Sequence, residues 1–185
     1  VPNLAIAAPM NELELRNMLY SATLPSYPAT IIRYPRGKGI GKVWREQPFE
    51  EMPYGKAELL NDGSKIALLT IGPVGNAAAS AIEKVESESN HKILHYNMRF
   101  LKPIDKEALE YTCSKADTII TVEDAMAVGG LHGAVSEYIA DNGLDKKVIA
   151  LGVQDKFVEH GSVAELQAEC GYDEEAIYNC IKSSL

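Results

Sequence analysis

"KIALLTIGPVGNAAASAIEKVESESNHKILHYN", residues 65–97, decides how the rest of the chain folds. An apolar run over 66–72 reads as a buried strand. Gly72-Pro73 breaks it, an alanine-rich segment predicts a helix over about 75–88, and "KILHYN" supplies a second strand. The same alternation continues downstream. "RFLKPID" leads into a helix over about 105–115, with Asp105 placed as its cap. "DTIITVE" passes through a glycine turn into a helix over about 131–141, and "KVIALGV" leads through "QDKFVEHGS" to helices covering the tail. Strands that alternate with helices imply a mostly parallel sheet covered on both faces, an α/β three-layer sandwich. Just upstream, "GKAELL", the turn "NDGS" and "KIALLTIG" carry the signal of a hairpin.

Residues 1–36 read separately as strand, helix, strand. "NLAIAAP" is a short apolar run; Asn11 and Glu14 have capping-box spacing; Leu15, Met18, Leu19 and Ala22 form an apolar stripe. "PATIIRY" suits a buried strand ending at Arg33. A βαβ unit of this size cannot bury both faces of its own sheet, so it looks like the edge of a larger domain. Residues 37–52 lack periodicity and form a linker laid over the surface, and 53–185 carry the sandwich.

The stretch "IIRYPRGKGIGK", residues 31–42, invites a phosphate reading. Gly37 and Gly41 miss the P-loop spacing, and Trp44 stands where a dinucleotide fingerprint needs its third glycine. Any phosphate role here falls to an arginine. The net charge of −8 argues against nucleic acid or an anionic membrane as a partner, and no apolar run reaches the length of a membrane span. Cys113, Cys170 and Cys180 are odd in number and widely spaced, which suits buried thiols in a reducing compartment rather than a zinc or disulfide framework. The chain begins with Val within a strand-like run and reads as a piece of something longer.

In an open parallel sheet, ligands gather beyond the carboxyl ends of the strands. That singles out Gly72-Pro73, Asn97 to Arg99, Glu123-Asp124 and Gln154-Asp155. Glu123, followed by Gly129 and Gly130 at the start of a helix, marks an interface or anion site; the plainer alternative is a tight glycine turn with Glu123 bonded to backbone. His132 and His160 have no Ser or Cys in a nucleophile setting beside them, so both read as structural.

Taken together, "VPNLAIAAPMNELELRNMLYSA", "RYPRGKG", "MRFLKPID", "TVEDAMAVGGLHGAVSE" and "LGVQDKFVEHGS" resemble the carboxyl-terminal third of the 1-deoxy-D-xylulose-5-phosphate synthase family. The likeness runs in order through nearly the whole chain, and only "VWREQPFEEMPY" in the linker lacks family character. It implies a transketolase-type, thiamine diphosphate- and magnesium-dependent transferase that joins pyruvate to glyceraldehyde 3-phosphate with loss of carbon dioxide, for isoprenoid and thiamine synthesis. Residues 1–36 would then be a βαβ remnant of the pyrimidine-binding domain, and 53–185 a transketolase C-terminal domain serving packing and homodimer contact. The resemblance implies a cytoplasmic enzyme whose partners are the rest of the synthase chain and its small substrates.

It also implies that the catalytic and metal-binding residues lie upstream of Val1, leaving none in this segment and no cofactor bound to it. Asp62-Gly63 and Asn90 have roughly the spacing of a magnesium–diphosphate motif, but Asn61 replaces its leading Gly, and the pair sits in a turn entering a strand. The first arginine of "RYPRG" contacts the substrate phosphate in the family, and it matches Arg33. Arg36, Lys38 and Lys42 have no such counterpart. Rival readings are a stand-alone α/β interaction module docking through 1–36, and the β subunit of a 2-oxo acid dehydrogenase.

Overall fold

The computed structural model of the chain describes residues 1–41 and 43–185; Lys42, one of the cations of the glycine stretch, lies outside them. Strand β4 (Lys65–Ile71) is the centre of a five-stranded sheet, and only its first residue is exposed. Ile66 and Leu68 point to one face, where they meet Val74, Ala78, Ala81 and Val85 of α2 (Val74–Glu88) and Ile177 and Ile181 of α6 (Glu174–Ser184), the helix after α5 (Val163–Cys170). Leu69 and Ile71 point to the other face. There they meet Leu109 and Cys113 of α3 (Lys106–Lys115) and Leu131, Val135 and Ile139 of α4 (Leu131–Asp141). Helices on both faces make the predicted three layers, and the strand needs no polar side because neither face meets water.

The sheet is completed by β5 (Leu94–Asn97) and β7 (Ala116–Met126), both parallel to β4, and by β8 (Lys147–Val153), parallel to β7. The predicted hairpin does not form. Strand β3 (Glu58–Asn61) pairs antiparallel with β5, not with β4, giving the order β3-β5-β4-β7-β8. Both flanks of β4 are taken by parallel neighbours, and the more exposed β3 suits an edge. Gly63 lets the crossing chain touch the backbone of the partner strand: a Cβ there would lie 2.4 Å from the Lys92 carbonyl oxygen. The "NDGS" turn therefore carries the chain across β5 rather than back along β4.

The amino-terminal unit has a third strand that sequence reasoning missed. β1 (Leu4–Ala7) pairs in parallel with β2 (Ala29–Ile32) and antiparallel with β6 (Phe100–Lys102), a strand supplied by "RFLKPID" from beyond β5. Phe100 packs with Ala7, Met18 and Met52. β2 is an edge strand with Ile31 exposed, not the buried strand predicted for it, because it has a neighbour on one side only.

Helix α1 (Glu12–Ser21) begins at Asn11, whose Oδ1 accepts from the Glu14 amide at 3.0 Å. Its fully buried positions are Glu14, Asn17, Met18 and Ser21, so the expected apolar stripe is displaced by one residue and Leu19 faces solvent. The buried face is polar because it binds the backbone that follows β2: the Ser21 hydroxyl accepts from the Met52 amide at 2.8 Å, and Arg16 donates to the Gln47 carbonyl at 2.9 Å. Asp105 caps α3 as predicted, accepting from the Glu107 and Ala108 amides. All three cysteines are free, and of the thiols expected to be buried only Cys113 is fully so.

Candidate functional site at the junction of the two sheets

The chain leaves β2 at Arg33, whose amide still donates to the Ala7 carbonyl at 2.8 Å. From there the side chain crosses to the end of β7, and its Nη1 lies 2.5 Å from Oδ1 of Asp124, a residue 91 positions later. The Arg33 side chain is 39% exposed and that of Asp124 18%. Gly72, at the end of β4, forms the adjoining wall. Its φ of +82° lies in the region glycine favours, and a Cβ would sit 3.3 Å from Arg33 Nη2 and 3.5 Å from Asp124 Oδ1. Three strand ends thus converge on one ion pair.

Beside that pair lies a cavity of about 260 Å³ whose walls include Arg33, Glu123, Gly129 and Gly130, together with Ile71 and Leu101. The four residues singled out from sequence are brought together here. β1 and the three-stranded sheet form one side of this cleft, and the carboxyl ends of β4 and β7 form the other. A second cavity, of about 250 Å³, lies between Met10, Tyr34, Lys38 and Pro73. It collects fewer strand ends, and among the described residues Lys38 is its only lysine or arginine.

Glu123 is 2% exposed, and its two carboxylate oxygens accept from the amides of Leu131 and His132 at 2.9 and 3.0 Å. The Leu131 and His132 amides at the start of α4 are therefore occupied by the chain's own carboxylate, which leaves no place for an outside anion at those two donors. Gly130 is required by this arrangement: a Cβ would fall 2.1 Å from Glu123 Oε2. Burial pushes the Glu123 carboxyl above the usual carboxylate range, against the lowering pull of the two amides and of the Arg33 charge. His132 contributes its backbone to this cap, while its ring Nδ1 has no hydrogen-bond partner among the described residues. His160 is exposed in the loop after β8.

At the ends of β5 and β1 lies a second polar cluster. Arg99, with φ +57°, donates from Nε to Glu14 at 2.7 Å and from Nη2 to Glu58 at 2.6 Å; Asn97 donates to both Glu14 oxygens at 3.0 and 3.1 Å. Glu14 does not close the predicted capping box. Its Oε2 accepts from the Met10 amide at 2.7 Å instead, because the carboxylate is drawn toward Arg99 and Asn97. The spacing of Asn11 and Glu14 is visible in the sequence; a competing partner 85 residues away is not.

Residues 55–177 match the family model described as "Transketolase, C-terminal domain". The chain belongs to that family. Among relatives of this transketolase C-terminal domain chain, the 1-deoxy-D-xylulose-5-phosphate synthase of Bacteroides fragilis is 47% identical over 98% of the chain, and that of Bacteroides thetaiotaomicron 48% over 96%. The synthase of Dictyoglomus turgidum is 41% identical over the whole chain. The chain spans only 28%, 27% and 29% of the lengths of these curated relatives, and so corresponds to a portion of them. Among solved structures, a split-gene transketolase described as an inactive β4 tetramer superposes at a TM-score of 0.85, with 24% identity, over the whole chain and 58% of its own. A transketolase from Campylobacter jejuni superposes at 0.66, with 17% identity, over 98% of this chain and 26% of its own. Both bear on the fold alone.

A family of this kind raises the question of thiamine diphosphate and its magnesium ion. Asp62 is exposed in the turn between β3 and β4, accepting from the Gly63 amide at 2.9 Å and the Tyr111 hydroxyl at 3.1 Å, and Asn90 lies beyond the end of α2. Among the described residues no three His, Cys, Asp or Glu side chains converge as a metal site would require. The described residues of this transketolase C-terminal domain chain do not fit that cofactor. Among the same residues, no helix is long and apolar enough to cross a membrane.

Proposed function

We propose that the chain is the carboxyl-terminal portion of a cytoplasmic 1-deoxy-D-xylulose-5-phosphate synthase, with residues 1–36 closing its pyrimidine-binding domain, 37–52 linking, and 53–185 forming the third domain. The observation that carries this reading is the 47% identity over 98% of the chain to a synthase of that name. In the complete protein, pyruvate and glyceraldehyde 3-phosphate are joined with loss of carbon dioxide. Thiamine diphosphate and magnesium are held by residues upstream of this segment, which alone is inactive. The third domain packs against the rest of the chain and contributes to a homodimer.

Within that enzyme, Arg33 anchors the phosphate of glyceraldehyde 3-phosphate. Its guanidinium stands at the mouth of the junction cleft, partly exposed, and offers a planar fork of donors suited to a phosphate. One N–H is engaged by Asp124, so donors remain for an incoming anion. In the full-length enzyme, Arg33→Ala raises the KM for glyceraldehyde 3-phosphate by roughly one to two orders of magnitude, the equivalent of a charge-assisted contact of about 1.5–3 kcal/mol, with a smaller effect on kcat. Steady-state kinetics with pyruvate saturating reads this directly, and an unchanged KM removes the anchor.

A further inference from the structure

We propose that Asp124 is the positioning residue for Arg33, holding the guanidinium so that the cleft selects a phosphorylated aldehyde over an unphosphorylated one. The assignment rests on the phosphate role given to Arg33 above. Arg33 extends from the end of an edge strand, where one flank is open and nothing else in β2 fixes the direction of its side chain. A long side chain left free at such a place has many rotamers, and an anion that binds it must first freeze them. Asp124 removes that freedom beforehand. It lies near the end of β7, between the cleft-lining Glu123 and Ala125, its side chain is mostly buried, and its Oδ1 meets Arg33 Nη1 at 2.5 Å. The adjoining wall is the Gly72 backbone, close enough that an added Cβ would crowd both partners. Acid, guanidinium and glycine wall form a fixed bracket, with most donors of the fork unspent.

A carboxylate beside a phosphate site also repels the ligand, and that effect opposes the positioning one. Here the acid grips a terminal nitrogen of the planar cation, so an anion on another edge has the positive charge between itself and Asp124. The neighbouring carboxylate, Glu123, has both oxygens turned to the α4 amides. Positioning therefore outweighs repulsion, and removing Asp124 weakens binding of the phosphorylated substrate.

The test uses the full-length synthase carrying Arg33→Ala, Asp124→Ala, Asp124→Asn, Asp124→Glu and the Arg33→Ala/Asp124→Ala pair. Asp124→Ala is expected to raise the KM for glyceraldehyde 3-phosphate about three- to tenfold while leaving kcat, and the KM for unphosphorylated glyceraldehyde, near wild type. Asp124→Glu recovers part of the loss. In the Arg33→Ala background, removing Asp124 adds nothing, because it acts only through the arginine. If Asp124→Ala melts early, Asp124→Asn, which keeps the shape, carries the same comparison with a smaller rise. A KM that is unchanged or lower in the Asp124 variants overturns the proposal, as does an equal rise for the unphosphorylated aldehyde or an additive effect in the pair. If Arg33→Ala itself leaves KM unchanged, the anchor role falls, and this proposal with it. If Arg33→Ala raises KM and Asp124→Ala does not, only the positioning role falls.

Discussion

Glu14 and Arg99 stand 85 positions apart in the chain and meet at 2.7 Å, joining α1 to the strand ends of the larger sheet. Both side chains are largely removed from water, and Arg99 holds a left-handed backbone conformation that a non-glycine residue adopts at some cost. The contacts to Glu14 and Glu58 are what offset that strain. Arg99→Ala strands a buried carboxylate with amide donors only and is expected to lower stability by about 3 kcal/mol. Arg99→Lys recovers only part of this, since an ammonium cannot reach two carboxylates as a fork does. Replacing both partners, as in Arg99→Met with Glu14→Leu, costs less than Arg99→Ala alone. Urea denaturation of the three variants orders them, and a double variant weaker than the single one counts against this account.

His95 lies in β5 inside the sheet, with Nε2 3.0 Å from the Thr70 hydroxyl. Burial brings its imidazole down from an ordinary value of 6.5 to about 4. The ring is neutral in the fold, and the unfolded chain takes up the proton first as the solution is acidified. Its contribution to stability is therefore full above pH 6.5 and is lost as the pH falls through 4, a loss of roughly 3 kcal/mol across that window. The wild-type chain should lose that amount more than His95→Gln between pH 7 and pH 4. Denaturation midpoints at several pH values check it, and parallel curves for the two proteins would exclude His95 as the source.

Two glycines three residues apart should respond oppositely to alanine. At Gly130 the added methyl would lie 2.1 Å from Glu123 Oε2 and 2.5 Å from the Met126 carbonyl oxygen, so the cap on α4 must move. Losing its two hydrogen bonds in a buried setting costs about 2–4 kcal/mol. At Gly133, inside α4, a Cβ meets nothing within 4 Å, and the substitution should stabilise the chain by about 0.5–1 kcal/mol through helix propensity. Thermal melts of the two variants give the pair of signs.

The layers of the sandwich were legible because β4, β7 and their helices announce themselves locally: a mainly apolar strand, a glycine break, a helical period. Asp105 was legible for the same reason, since a cap acts within three residues of itself. What escaped were pairings decided far along the chain. β3 looks like half of a hairpin until β5 and β7 have taken both sides of β4. Glu14 looks like half of a capping box until Arg99 claims it. The buried face of α1 carries Asn17 and Ser21 where an apolar template expects leucine, and the reason lies in the Glu50 and Met52 amides they bind. At the cleft, Glu123 could be found from its strand-end position and Arg33 from the resemblance carried by "RYPRG", but nothing local to Asp124 says that its partner is Arg33.

Phe100 shows how the smaller sheet depends on the larger unit. Its ring is 1% exposed and packs among Ala7, Met18 and Met52, while its backbone places β6 against β1. Residues 1–36 lie outside the stretch that matches the family model, whereas Phe100 lies within it, so one strand of the matched region completes the core of the unmatched one. Phe100→Ala removes most of that shared core and should cost about 3–5 kcal/mol. The loss should be felt unevenly. Strand β4 and its helices keep their own apolar contacts on both faces, whereas β1, α1 and β2 lose a principal anchor. Hydrogen exchange should therefore speed up across residues 4–32 well before it changes across β4 and β7, and limited proteolysis should cut first in 1–52. Uniform acceleration along the whole chain would mean that the two sheets unfold as one unit and that β6 does not hold the amino-terminal segment separately.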